Sequence, residues 1–393
     1  MWPYIFCFVI VLLLSKTNEI QLKKKGNKIN LFLCSAFIIL IPAILAGLRD
    51  YSVGTDIKLH YQGIFNNALQ FNRFSDFYKY MISKYKDWLN IGYLIFTYII
   101  SRFTDNLHWL LFFISLFNGS FIYAALYKSR KRNSIFLGEL VYLTIIYNES
   151  FNAVRQVMAL SICLYALAFL FERKYVKYCL LMVLAYTFHT SSLIALSFPI
   201  IMFFINDNKA KNMLASYSLK QKIWWWLKIL ILACVISIGA ASIQLIVTNL
   251  SSSGIISDRI LFYINTTRNY RSSIIELTVY LAPLLVVFWQ RNNNFNGYTL
   301  LTIELINLIL FPLRERYTYL YRASTFFVYC RIFSLTQIRS SLYKVIRTKR
   351  FSKNNLKSLI VIIMCFTYWY YFTVYLKYNA TIPYTSEIMK IIK

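Results

Sequence analysis

Apolar stretches recur along the whole chain, and the short segments that divide them are mostly basic. A helix crossing a hydrocarbon layer roughly 30 Å thick needs about 20 mostly apolar residues. Candidate spans fall at 2–15, 31–48, 89–101, 108–127, 134–148, 154–171, 176–188, 191–205, 224–247, 274–290, 297–312, 318–335 and 356–376. Several are short, so they must be tilted, broken or extended by their aromatic flanks. The expected class is an all-α, polytopic integral membrane protein with about 11 to 13 transmembrane helices. No internal repeat or soluble domain stands out, so residues 1–393 read as a single membrane domain.

Composition agrees. At 58% hydrophobic residues, 15% charged residues and a mean hydropathy of +0.51, the chain is more apolar than a soluble core of this size requires. Its 43 Lys and Arg against 15 Asp and Glu leave a formal charge of +28. In a soluble chain that excess would point to nucleic acid. Here it concentrates in connections such as 16–28, 128–132 and 347–357, where the positive-inside rule expects it. No zinc-finger spacing, recognition helix or basic zipper accompanies it, so anionic lipid and an anionic substrate are the expected partners. The seven cysteines form no CxxC pair and read as small hydrophobes. The start lacks a basic region before its apolar stretch and a small-residue cleavage site, so it reads as a retained first span.

Placing 16–28, 128–132, 172–177, 206–222, 290–296 and 339–357 in the cytoplasm puts 49–88, 149–154, 188–191, 248–273, 313–317 and the tail on the opposite face. One conflict remains. Two apparent spans separate 49–88 from 128–132, although the rule puts those segments on opposite sides; one of 89–101 and 108–127 is then re-entrant or superficial, or one basic loop breaks the rule. The larger outward connections are 49–88 and 248–273. The first mixes aromatic and polar residues as an interfacial amphipathic helix would. Trp224, Trp225 and Trp226, following Lys220 and Lys222, are a candidate interfacial anchor.

Five constellations carry candidate chemistry. In RDYSVGTDIKLHY, 49–61, Gly54 permits a tight turn, and Asp56 places a carboxylate near the membrane surface beside Arg49. A polar cap facing headgroups and the mouth of a cleft are both open readings. In NESFNAVRQ, 148–156, Arg155 and Gln156 begin an apolar helix. Arg155 is either a snorkelling interfacial residue or a phosphate clamp, for which its fixed fork of donors suits it. His189, in AYTFHTSSLIALSFP, lies at the outer turn of a helical hairpin, as a structural or a catalytic histidine. In LRERYTYLYR, 313–322, Arg314, Glu315 and Arg316 allow a local ion pair and one spare cation, and ionisable residues in spans usually face protein or a water-filled cavity. The tail, 378–388, carries Pro383 and Tyr384. The three histidines have no ligand spacing, so no metal or other cofactor is called for.

Together these pieces resemble the EpsG family of bacterial polysaccharide polymerases, which overlaps the Wzy-type O-antigen polymerases. The resemblance rests on R-x-x-x-x-G-T-D at Arg49, Gly54, Thr55 and Asp56 with Tyr61 downstream, R-x-x-x-A at Arg155 and Ala159, F-H-x-S at Phe188, His189 and Ser191, Arg316 followed by Tyr319, and Pro383–Tyr384. Ser192 stands where an alanine is expected, a conservative departure. The resemblance implies a glycosyltransferase of lipid-linked glycan assembly in the bacterial inner membrane, using no nucleotide sugar. It would move a growing glycan from undecaprenyl pyrophosphate onto one lipid-linked repeat unit at the periplasmic face, for O-antigen or a related surface polysaccharide. A chain-length regulator and a flippase are further partners it allows.

In such chemistry preorganised cations neutralise the leaving pyrophosphate. Arg155, Arg314 and Arg316 suit that role, with Arg268 next. Asp56 or His189 would take the acceptor proton, or positioning alone would suffice for so good a leaving group. Arg49, Gly54, Tyr61, Gln156 and Tyr384 complete the expected substrate-binding set, with tyrosines against sugar faces. A flippase, a membrane acyltransferase and a non-catalytic export subunit are the alternatives. A flippase would show paired halves or charges along a path through the bilayer, whereas these candidates gather on one face.

Overall fold

The computed structural model describes residues 1–24, 26–85, 90–206, 218–252, 274–290, 296–314, 318–337 and 353–391. The protein is an all-α polytopic membrane protein, with no strand among the described residues. Five helices are long and apolar enough to cross a membrane: Trp2–Lys24, Lys28–Leu48, Leu107–Ser129, Leu219–Gly239 and Leu356–Tyr375, with shorter apolar helices beside them. Two compact units emerge, one of Met1–Leu193 with Ser358–Lys393, the other of Ile194–Lys357.

In the first unit, α1 (Trp2–Lys24) and α2 (Lys28–Leu48) form a hairpin whose turn is capped by Asn27, which accepts from the Ile29 N–H at 2.9 Å. Polar side chains tie this hairpin to α6 (Leu107–Ser129). Asn18 donates to the Leu31 carbonyl at 3.2 Å and to Ser35 Oγ at 3.1 Å, and Tyr123 donates to Asn18 Oδ1 at 3.2 Å. Such bonds help associate helices where lipid gives no hydrophobic drive. Near the same end Glu19 accepts from Ser134 Oγ at 2.6 Å and from the Phe136 N–H at 3.3 Å. That contact seats the start of α7 (Ile135–Val141), which runs on as a wider π turn, Tyr142–Ile146. At the basic end Lys128 and Lys174 each lie 2.8 Å from Glu172, and these bonds hold the Glu172 carboxyl down at about 2. Glu172 belongs to the turn between α8 (Val154–Leu170) and α9 (Tyr175–Phe188), so both the start of α8 and the end of α9 lie at the opposite end.

The conflict between the basic loops resolves here. A π turn (Ile57–Tyr61), α3 (Gln62–Leu69), α4 (Phe74–Tyr85) and α5 (Ile91–Ser101) follow α2. Although α5 is apolar, both of its ends are tied to one layer. At its start Tyr93 meets Tyr61 edge-on, with centroids 5.5 Å apart, and Gly92 abuts Thr187 near the end of α9. A Cβ on Gly92 would stand 2.4 Å from Thr187 Oγ1 and 2.9 Å from its carbonyl carbon, so only glycine permits that approach. At its end Arg102 donates to the Ala68 and Phe71 carbonyls, at 2.6 and 2.9 Å, closing the α3–α4 corner. Then His108, at the start of α6, donates through Nδ1 to the Gly47 carbonyl at the end of α2, at 2.7 Å. Residues 49–85 and 90–106 therefore stay at one end, and 11 residues at about 1.5 Å each are too short to cross in any case. The amphipathic helix expected in 49–88 is present as α4, with Phe77 and Met81, one turn apart, buried.

The second unit contains α10 (Ser197–Ile205), α11 (Leu219–Ser252), α12 (Ile274–Gln290), α13 (Gly297–Arg314), α14 (Thr318–Tyr329) and the short α15 (Arg331–Ser334). α13 is its centre and packs on α10, α11, α12, α14 and α15. Of the tryptophan triplet, Trp224 is exposed, while Trp225 and Trp226 pack on Tyr298, with centroids 4.8 and 6.1 Å away. Within this apolar unit Arg331 Nε lies 3.4 Å from Glu304 Oε2, both residues being fully buried. Ser334 and Asn307 also donate to the Glu304 carboxylate, at 2.7 and 3.4 Å.

Candidate functional site

At the end of the first unit opposite its basic turns, three segments remote in sequence meet: 49–61, 148–156 and the tail after the final helix, Lys353–Trp369. Gly54 adopts φ +95°, a conformation that side chains rarely tolerate, and its N–H donates to the Ala380 carbonyl at 3.0 Å. The Asp50 N–H donates to the Thr385 carbonyl at 3.0 Å, and Asp50 Oδ1 accepts from the Glu387 N–H at 2.8 Å. Tyr384 is buried; its hydroxyl donates to the Leu45 carbonyl at 2.8 Å, and its ring meets Tyr4 edge-on. The tail is thus an integral wall of the site.

Asp56 begins the π turn whose last residue is Tyr61. The Tyr61 hydroxyl oxygen accepts from the guanidinium and from the backbone N–H of Arg155, and both the Asp56 and Arg155 charges act on it. Burial pushes the Tyr61 phenol up, and the neighbouring Arg155 opposes that shift. Tyr61 is 4% exposed, so it braces Arg155 from inside the unit. Arg155 and Gln156 occupy the first turn of α8, where the helix dipole adds positive potential. Asp56 and Arg155 thus both act on the Tyr61 phenol, and the segments that carry them are joined by the Thr55 N–H donating to Asn152 Oδ1 at 2.7 Å.

Arg49 lies at the same end of the unit, 2% exposed, with its guanidinium carbon 3.8 Å from the Phe151 ring centroid and one nitrogen donating to the Ala46 carbonyl at 2.6 Å. Burial lowers its pKa to about 10, which leaves it charged near neutral pH. His189 caps the end of α9, at the same end of the α8–α9 hairpin as Arg155. The Ser191 N–H reaches His189 Nδ1 at 3.2 Å and Ser191 Oγ lies 2.6 Å from it. An N–H can only donate, so Nδ1 is an acceptor and the neutral ring carries its proton on Nε2.

Arg314 belongs to the second unit, at the last position of α13, where a cation suits the helix dipole. It is held between two rings, its guanidinium carbon 4.8 Å from the centroids of both Tyr280 and Tyr321. Arg316 and Arg268, with most of the 248–273 connection, lie outside the described residues. No group of three His, Cys, Asp or Glu side chains able to hold a metal occurs among the described residues.

A family model, described as the EpsG family, matches residues 31–386. The chain belongs to the EpsG family. The match runs from α2 to Ser386 and so takes in all three converging segments. Membership supports a polysaccharide-polymerase role in general, of glycosyltransferase type, for this membrane protein. No curated protein and no solved structure matches the chain.

Reasoning from sequence passed over several residues that build this end of the EpsG protein. Asn148 accepts from Trp369 Nε1 at 3.0 Å and donates to Thr381 Oγ1 at 2.9 Å. Asn152 and Thr385 also join the tail to the loop. The available signal was two amides four residues apart, Asn148 and Asn152, in a polar break between apolar stretches. Glu304 and Arg331 were equally visible as charges inside apparent spans.

Gly54 provides a direct check of this architecture. A Cβ there would stand 2.9 Å from Asn152 Oδ1 and 3.1 Å from the Phe151 carbonyl, on a backbone already in the left-handed region. Gly54→Ala is expected to cost about 1–3 kcal/mol locally and to loosen the loop. Faster hydrogen exchange in peptides covering 50–55 would report it, and unchanged exchange would contradict the packing described.

Proposed function

We propose that this protein polymerises lipid-linked oligosaccharide repeat units for O-antigen or a related surface polysaccharide, at the periplasmic face of the bacterial inner membrane. The observation that carries this reading is the meeting of the 49–61 segment, with Asp56 and Tyr61, and the 148–156 segment, with Arg155, at the end of the first unit opposite its basic turns. The positive-inside rule assigns those turns to the cytoplasm and hence this meeting to the outer side.

In the reaction the acceptor hydroxyl attacks the anomeric carbon of the growing glycan. A new glycosidic C–O bond forms as the bond to the pyrophosphate oxygen breaks, and undecaprenyl pyrophosphate leaves with the electron pair. In this reading Arg155 meets the charge developing on that oxygen, held by Tyr61 so that little reorganisation is needed during bond cleavage. Asp56 takes the acceptor proton. His189, which caps α9 at the same end of the unit, is the alternative to Asp56 for taking the acceptor proton. Gln156 adds an amide beside the clamp, and Arg49 adds a buried positive charge that keeps the site attractive to pyrophosphate. Arg314, Arg316 and Arg268 are further candidates for binding an anionic group, and Gly54 and Tyr384 contribute by shaping the loop and tail. A flippase and a chain-length regulator are proposed partners, with anionic lipid around the basic end.

The test is a deletion strain complemented with the wild-type gene, its surface and lipid-linked glycans separated by gel and identified by mass spectrometry. The expected outcome is surface glycan with a single repeat unit in the deletion and long chains on complementation. If no repeat unit reaches the surface, transport replaces polymerisation as the reading. Long chains in the deletion would overturn both.

A further inference from the structure

One side chain joins the segments of this site from within. Asn152 Oδ1 accepts from the Thr55 N–H at 2.7 Å, while its Nδ2 donates to the Asn379 carbonyl at 2.7 Å. We infer that Asn152 is a positioning residue for Asp56, transmitting to it the fixed geometry of the C-terminal tail. This rests on the reading of Asp56 and Arg155 as the reacting centre.

The tail end of the link is anchored independently of Asn152. Two residues beyond Asn379, the Thr381 carbonyl accepts from Tyr4 at 2.9 Å, and its hydroxyl accepts from Asn148 at 2.9 Å. Asn379 therefore belongs to a segment held against α1 and the start of the 148–156 stretch. The other end of the link is the peptide N–H of Thr55, the residue immediately before Asp56. With Gly54 bonded to Ala380 on one side and Thr55 to Asn152 on the other, the backbone entering Asp56 is fixed at two consecutive residues. Asp56 then enters the π turn that ends at Tyr61, the partner of Arg155.

The chemistry of the link selects asparagine. It needs an acceptor and a donor on two separate atoms of one short planar group, which an ionised carboxylate, a single hydroxyl oxygen or a methyl cannot supply. Aspartate at 152 would still accept from Thr55 but would set an oxygen against the Asn379 carbonyl. Such displacement matters because a shift of about 1 Å at a reacting group can cost on the order of 10²-fold in rate.

The test uses the full chain in lipid nanodiscs, with wild type, Asn152→Ala and Asn152→Asp, and two readouts. Hydrogen exchange in peptides covering 50–55 and 379–386 is expected to rise about tenfold or more in Asn152→Ala, with the helices unchanged. With a lipid-linked repeat unit as substrate, kcat is expected to fall on the order of 10²-fold, and Asn152→Asp is expected to fall between alanine and wild type. The pH–rate profile is also expected to be displaced in Asn152→Ala, as Asp56 shifts relative to the charged groups of the site; a mere loss of folded protein would scale the profile without moving it. Unchanged exchange, or a profile scaled without displacement, would overturn the inference. If wild type itself forms no polymer, the polymerase reading fails, while exchange at 50–55 still decides whether Asn152 holds the loop.

Discussion

Arg155→Ala is expected to stop chain extension, slowing it on the order of 10²–10³-fold, the usual loss when one preorganised donor to a developing anion is removed. Two features set the size. Arg155 is 7% exposed, so its charge acts in a medium that screens it less than water does. Tyr61 accepts from its guanidinium and its backbone N–H, so it is already oriented before substrate arrives. Arg155→Lys should recover part of the rate, since it restores the charge without the planar fork. Tyr61→Phe should cost less than Arg155→Ala, because the charge remains and only its bracing is lost. These variants are to be compared in the complemented deletion strain at equal membrane levels, by polymer length and yield. Wild-type polymer from Arg155→Ala would remove Arg155 from the mechanism.

The largest effect on stability is expected in the second unit. Glu304 and Arg331 are fully buried and bonded to one another. Removing one partner leaves the other charge buried without its counter-ion, a loss of about 3–5 kcal/mol. Arg331→Met or Glu304→Leu alone should therefore sharply lower the thermal midpoint of the detergent-purified protein. The double variant, two apolar groups of similar volume, should recover most of the loss, because the desolvation cost of both charges disappears with them. Losses that simply add in the double variant would contradict a mutually compensating pair. Tyr280 connects this pair to Arg314, its ring lying 5.0 Å from the Arg331 guanidinium carbon and 4.8 Å from that of Arg314.

Much of the fold was legible because apolar length and basic connections report directly on membrane crossing. The 89–101 stretch shows where that signal ends. Its hydropathy matches a crossing helix, and what keeps α5 at one end is a set of specific contacts: Arg102 on two carbonyls, Gly92 against Thr187 and His108 on Gly47. None of these is a property of the stretch itself. The site divides in the same way. Arg49, Gly54, Asp56 and Arg155 stand out as charged or conformationally special residues beside apolar runs. The partners that arrange them do not, since Asn148 and Asn152 are ordinary loop residues until the tail, with Thr385, folds back across 233 and 227 positions to meet them. A pairing of that range leaves no local pattern. Tyr61 illustrates the converse: an aromatic beside a polar motif reads as a sugar platform, whereas burial makes it a brace for Arg155.

The most direct test of the account is reconstitution. Purified wild-type protein in proteoliposomes would be given an undecaprenyl-pyrophosphate-linked repeat unit as its sole substrate, and the products would be resolved by mass spectrometry. The account predicts lipid-linked glycans of two or more repeat units, with one undecaprenyl pyrophosphate released for each bond formed and far less of both from Arg155→Ala. Substrate that crosses the bilayer unextended, with no undecaprenyl pyrophosphate released, would contradict it.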